Sequence, residues 1–207
     1  AAAVEALSKV GAQTMLTAGT HGAYRSGVET MAATPGVQRV AEGQTASTLH
    51  NAAQAALFIT DARTLMEQPA LSSEVFGPAS LVVRAKDADE LIAVAEQLEG
   101  QLTATLHLED ADHPLARRLL PVLERRAGRL LVNGFPTGVE VCHAMVHGGP
   151  YPSTSNAMFT SVGASAIDRF LRPVCYQDLP DALLPEALQQ ANPLGLWRLV
   201  DGAPVRA

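Results

Sequence analysis

The sequence predicts an α/β fold in which a largely parallel sheet is flanked by helices and followed by a C-terminal tail. Two observations carry this prediction. From Ser80 onward, short apolar runs rich in β-branched residues alternate with longer segments whose apolar positions recur at helical spacing. The 207 residues are also 47% hydrophobic and 17% charged, which suffices for one sizeable core or one core plus a smaller appendage.

Taken in order, residues 2–10 and 20–32 read as two opening helices, with good helix formers and apolar positions at helical intervals. After the Pro35-Gly36 break, VQRVAE alternates apolar and polar residues and predicts a short edge strand. ALFITD at 56–61 is mostly apolar and predicts a central strand. SLVVRA from Ser80 is the next strand. Asp87 then stands as an N-cap with Glu90 three residues on, and the helix ADELIAVAEQLE stops at Gly100. Residues 102–109 form a strand, DHPLARRLLPVLERRAG a helix interrupted by Pro121, and 129–133 a third strand of this series. Residues 134–155, rich in Gly and Pro and without a helical period, predict a long ordered loop. SVGASAIDRFL then reads as a helix and RPVCYQDL as a strand. Two parts follow from this order: 1–160 as the main α/β body, and 161–207 as a C-terminal helix, strand and tail.

The formal net charge of -6 offers no basic stripe for phosphates, so nucleic acid is not an expected partner. No apolar run approaches the roughly 20 residues a membrane helix requires, and no secretory pattern opens the chain. A membrane is therefore not expected either, and a cytoplasmic location is. Two cysteines, Cys142 and Cys175, cannot build a disulfide framework at this size and fit a reducing compartment.

Several constellations carry chemical potential. In Glu74-Val75-Phe76-Gly77-Pro78 a carboxylate that can accept hydrogen bonds from two hydroxyls stands two residues from an aromatic ring, ahead of a Gly-Pro turn. Read alone, the same five residues describe a solvated glutamate and a phenylalanine capping the core. Cys142-His143 with His147 four residues later suggests a thiol and its base, or metal ligands. Neither reading has its further partner nearby, so Cys142 also fits as a small buried hydrophobe. Gly148-Gly149-Pro150-Tyr151-Pro152 lacks the spacing of a phosphate loop and reads as a rigid wall. His21, His50, His107 and His113 are scattered and read as surface or core-satisfied residues. Glu109, Asp110 and Asp112 read as a solvated turn next to a helix N-terminus.

The order of these parts resembles the C-terminal portion of an aldehyde dehydrogenase. The resemblance rests on LSSEVFGPASLVV, the strand-helix alternation, and GRLLVNGFPTGVEVCHAMVHGGPYPSTS. That family carries an E-x-F-G-P motif, matched here from Glu74 to Pro78, and a V-N element, matched by Val132-Asn133. His147-Gly148-Gly149 stand where the family usually has Phe-Gly-Gly. This wording is similar to the branch that oxidises 2,5-dioxopentanoate (α-ketoglutaric semialdehyde) and to related fatty aldehyde dehydrogenases.

The resemblance implies an aldehyde dehydrogenase catalytic-domain fold and NADP or NAD as cofactor. It places Glu74 on the nicotinamide ribose hydroxyls and Phe76 beside the nicotinamide, with His147, Phe135 and Val139 along the substrate channel. It implies a small-molecule aldehyde as substrate, no metal, and assembly as a homodimer or homotetramer, with 170–179 able to supply an edge strand. The family's nucleophilic cysteine lies in a Gly-Gln-x-Cys type segment upstream of the motif glutamate, and its general-base glutamate is also upstream. No such cysteine segment precedes Glu74 here, so the expected catalytic residues in this chain are none, and the chain alone is expected to be inactive. The alternatives are another aldehyde dehydrogenase of the same branch, a non-catalytic binding or scaffold fragment, or a cysteine hydrolase using Cys142 and His147.

Overall fold

A computed structural model describes residues 2–46, 48–136 and 138–206, and divides the chain into two compact units, 1–166 and 167–207.

The first unit opens with helix α1 (Ala2–Leu7), the two-residue strand β1 (Gln13–Thr14) and helix α2 (Ala18–Ala33). Thr17 caps α2: its hydroxyl accepts from the Thr20 amide, and the Thr20 side chain accepts from the Thr17 amide. The helix stops before Pro35, whose ring disfavours helical backbone at the residue preceding it. Strands β2 (Gln38–Glu42), β3 (Ala52–Ala53) and β4 (Ala56–Asp61) follow. Helix α3 (Ala62–Glu67) begins at once, with the Asp61 carboxylate accepting from the Thr64 amide. A short 3-10 turn (Pro69–Ser72) leads through 73–78 into strand β5 (Ala79–Arg84).

Helix α4 (Ala88–Gln97), strand β6 (Gln101–Leu106), helix α5 (His113–Arg126) and strand β7 (Ala127–Val132) complete the regular part of this unit. Asp87 caps α4 through the Glu90 amide, as its sequence position predicts.

The two longest ladders are parallel, β4 with β5 and β6 with β7, each pair joined by a helical crossover. β4 is central in the order β2-β4-β5, with β2 antiparallel at the edge. β1 with β3 forms a separate, minimal antiparallel pair. The β4 side chains enter a core of Met31, Ala56, Phe58, Ala62, Leu65, Leu71 and Val94, in which Phe58 is fully enclosed. A second cluster, Ala95 with Leu119, Val122 and Leu123, joins α4 to α5 and the β6–β7 pair. The Arg125 to Glu96 ion pair at 3.1 Å crosses the same helix contact on its exposed side, where such pairs contribute little.

Three expectations change. α5 runs unbroken through Pro121, because the proline sits on the exposed side while Ala116, Leu119, Val122 and Leu123 keep the opposite face buried. The expected helix at 161–171 is a 3-10 run, Ala164–Phe170. The expected strand at 172–179 does not form: alternation alone supplies no neighbour to pair with. In the second unit the paired strands are instead β8 (Arg198–Val200) and β9 (Ala203–Val205), an antiparallel hairpin turning at Asp201-Gly202 with both residues at positive φ. Among the described residues no helix is long and apolar enough to cross a membrane.

Candidate functional site

The Glu74–Pro78 segment is an extended strap between the 3-10 turn and β5, and its side chains alternate. Val75 points inward against the main core, and a side chain at Gly27 of α2 would meet it at 2.8 Å. Gly77 lies flat on the ring of Tyr24, where an added Cβ would come within 2.8 Å of Cε2. Between these inward positions Glu74 and Phe76 face out, Phe76 with 67% of its surface exposed. An extended chain places every second residue on one side, so two anchors facing α2 send the carboxylate and the ring to the other. Phe76 is therefore not a core cap. Among the described residues no hydrogen bond or ion pair engages the Glu74 carboxylate, which leaves both oxygens free to accept.

The Gly-Pro stretch 148–152 reaches the same place by a different route. It lies backbone against backbone across the starts of β6 and β7: a side chain at Gly100 would overlap the Pro150 carbonyl, and one at Gly128 the Gly148 carbonyl. The Gly100 amide donates to the Tyr151 carbonyl at 3.3 Å, and the Ser153 hydroxyl to the Pro150 carbonyl at 2.6 Å. Between strap and seam lies a cavity of about 490 Å³, lined by Ser72, Glu74, Gln101, Thr103, Pro152 and Ser153 among others. Two stretches 74 positions apart in character and sequence thus share one cleft.

The remaining expected residues lie elsewhere. Phe135 is 77% exposed, its ring tilted at 5.1 Å from that of His107, one of the histidines with no role assigned from sequence. Val139 is half-buried, next to Gly138, whose carbonyl accepts from the Arg129 guanidinium at 3.0 Å. His147 is half-buried, and its backbone is fixed on both sides: its amide donates to the Thr160 hydroxyl at 2.8 Å, and its carbonyl accepts from Ser161. None of the three lines the cleft that holds Glu74.

Cys142 is exposed rather than buried, as is Cys175, and no hydrogen bond joins Cys142 to His143 or His147. Among the described residues no group of three or more His, Cys, Asp or Glu side chains is placed to hold a metal. The carboxylates at 109–112 act as caps: the Asp112 side chain accepts from the Glu109 amide at 2.9 Å. Asn133 stands just past β7 in left-handed conformation, φ +53°, and its side-chain amide exchanges two hydrogen bonds with the Leu108 backbone, both 2.9 Å. It extends the β6–β7 ladder by one artificial rung.

The residues that sequence reasoning missed are Tyr24 and Gly27. The only signal was a glycine inside a helix, a position that costs helix stability unless something packs close.

An exposed, unpartnered carboxylate over a cleft, with an exposed ring two residues on, suits the ribose and planar ring of a nicotinamide nucleotide. At a TM-score of 0.58 and 16% identity, 76% of this chain overlies 30% of a betaine aldehyde dehydrogenase double mutant from Staphylococcus aureus, solved in complex with NAD+. That likeness defines the aldehyde dehydrogenase fold.

The sequence goes further. The chain is 61% identical over 200 residues to α-ketoglutaric semialdehyde dehydrogenase 2 of Azospirillum brasilense, covering 97% of this chain and 38% of that protein. It is 49% identical over 191 residues to the α-ketoglutaric semialdehyde dehydrogenase of Acinetobacter baylyi, covering 92% and 36% respectively. The chain belongs to the aldehyde dehydrogenase superfamily and spans a little over a third of the length of these curated relatives. No protein-family model matches it.

Proposed function

We propose that this chain forms, within an NAD(P)-dependent aldehyde dehydrogenase, the wall that holds the nicotinamide end of the cofactor, and that the substrate is 2,5-dioxopentanoate, oxidised to 2-oxoglutarate. The observation that carries the substrate is the 61% identity to an enzyme named for it. The observation that supports the cofactor role is the free carboxylate of Glu74 over its cleft.

NAD(P)+ supplies the hydride acceptor in this chemistry. Glu74 accepts hydrogen bonds from two neighbouring ribose hydroxyls, and Phe76 offers a flat apolar surface beside the nicotinamide. Their common anchorage to α2 keeps the two at fixed separation, and a hydride transfer depends on such preorganisation. His147, Phe135 and Val139 belong to the substrate channel. The thiol that attacks the aldehyde and the glutamate that activates water are assigned to polypeptide outside these 207 residues, since neither exposed cysteine here has a base bonded to it. The two free cysteines suit a cytoplasmic enzyme. Assembly as a homodimer or homotetramer is proposed with it.

The test compares the isolated chain with a polypeptide of the relatives' full length. The isolated chain forms no reduced nicotinamide from 2,5-dioxopentanoate. In the longer polypeptide Glu74→Gln lowers kcat/KM for the nucleotide about tenfold or more, the loss of a charge-assisted hydrogen bond. An unchanged kcat/KM in that variant sinks the role of Glu74.

A further inference from the structure

We propose that Tyr24 is a positioning residue for the nucleotide-binding strap 74–78, acting through Gly77; the inference deepens the function proposed above and rests on it. Tyr24 sits on α2, 53 residues before Gly77, and only 3% of its surface is exposed. Its hydroxyl donates to the Gln54 carbonyl at 2.6 Å, and the Gln54 side chain donates to the Gly43 carbonyl at 2.6 Å. The ring is thereby fixed from behind. Its other edge bears on Gly77, which sits at φ +148° with no room for a side chain.

Downstream, the strap is fixed by its carbonyls: Gly77 accepts from the Ala79 amide at 2.9 Å and Pro78 from the Ala56 amide at 3.0 Å. Upstream, its inward contact is Val75 on Gly27. Among the described residues no hydrogen bond ties the chain bearing Glu74 and Phe76 to α2 between these points. The ring of Tyr24 sets how far that chain stands off the helix, and the glycine of the E-x-F-G-P sequence is required here because an aromatic ring fills the space its side chain would take.

Two measurements test this. In the 207-residue chain, without nucleotide, amide exchange is followed at Ala56 and Ala79, the donors to the strap. Tyr24→Ala and Gly77→Ala each speed exchange there about tenfold, while Tyr24→Phe, which keeps the ring, stays within about threefold of wild type. The amides of the β6–β7 ladder stay protected in all three and report that the fold persists. Gly77→Ala removes no buried side chain, so it tests the contact if Tyr24→Ala does not fold. Unchanged exchange at Ala56 and Ala79 in folded Gly77→Ala or Tyr24→Ala overturns the proposal.

In the full-length polypeptide Tyr24→Ala raises the nucleotide KM about tenfold, leaves the aldehyde KM unchanged, and is rescued by Tyr24→Phe. A fall in kcat alone, the signature of a smaller folded fraction, overturns it as well. The two readings fail separately. If Glu74→Gln is silent while strap exchange responds to Tyr24, the cofactor role is wrong and the anchorage stands.

Discussion

Replacing Asn133 tests how the chain terminates its second parallel pair. The residue supplies two separable things: a backbone in the left-handed region and a side-chain amide that both donates to and accepts from Leu108 at 2.9 Å. Each neutral hydrogen bond is worth about 0.5–1.5 kcal/mol, and because Asn133 is exposed the lower half of that range applies, about 1–2 kcal/mol for the pair. A left-handed backbone costs most residues with a Cβ about 1 kcal/mol more than it costs glycine or asparagine, whose short amide side chain tolerates it. Asn133→Ala therefore destabilises by about 2–3 kcal/mol and Asn133→Gly by about 1–2 kcal/mol, so the order of stability is Asn, Gly, Ala. Asn133→Asp keeps the acceptor for the Leu108 amide but sets a carboxylate oxygen against the Leu108 carbonyl. Its stability rises as the pH falls through the carboxylate range and the acid becomes a donor. Urea unfolding followed by circular dichroism, with the m-value unchanged, measures each difference. Alanine and glycine variants of equal stability would refute the conformational part, and an alanine variant matching wild type would refute both.

Two further outcomes follow from contacts already described. Burial raises the Tyr24 phenol above its ordinary value of 10.0, the nearby Arg39 opposing and Glu42 adding to the effect. A raised folded value means that the neutral phenol is favoured in the fold, so this contribution is complete below pH 10 and is lost as the pH rises through the folded value. Tyr24→Phe is accordingly less stable than wild type near neutral pH, with the gap closing above pH 10 in thermal melts; a constant gap would deny the burial effect. Gly100→Ala and Gly128→Ala each force a methyl into a backbone carbonyl of the 148–151 stretch and cost at least about 1–3 kcal/mol, with faster exchange at the Gly100 and Ser153 amides. Wild-type exchange in both variants would show that the seam adjusts freely.

Where local chemistry decides, the sequence was sufficient. Asp87 announces the start of α4 because capping is a contact between residues three apart, and the ALFITD run announces a central strand because it is apolar on both faces. The strap at 74–78 was legible as five residues with a spacing, and its resemblance to a family suggested the role proposed for it above. What was not legible depended on partners far along the chain. Nothing in THGAYRSG states that its tyrosine meets Gly77 or that its glycine makes room for Val75. Residues 172–179 alternate well enough for a strand, yet a strand is a pairing and no partner was encoded nearby. Pro121 was misread for a related reason: the cost of a proline is local, but the four buried side chains that outweigh it act across the helix contact. Cys142, expected inside on the average habit of cysteine, lies outside: the loop that carries it is held by Arg129, at the Gly138 carbonyl and the Met145 sulfur, and by Gly163 packed on its backbone, and not by the Cys142 side chain.

The glycine seam also bears on how such a site can diverge. Contacts made by main chain alone read the path of a loop and are blind to the side chains it carries. Tyr151, within the seam, is 81% exposed, and His147, at its threshold, is held by its amide and carbonyl and not by its imidazole. An exchange at position 147 therefore leaves the hydrogen bonds and carbonyl contacts that hold the path untouched. The loop's course can be inherited unchanged while the side chains it presents, the imidazole of His147 among them, are rewritten.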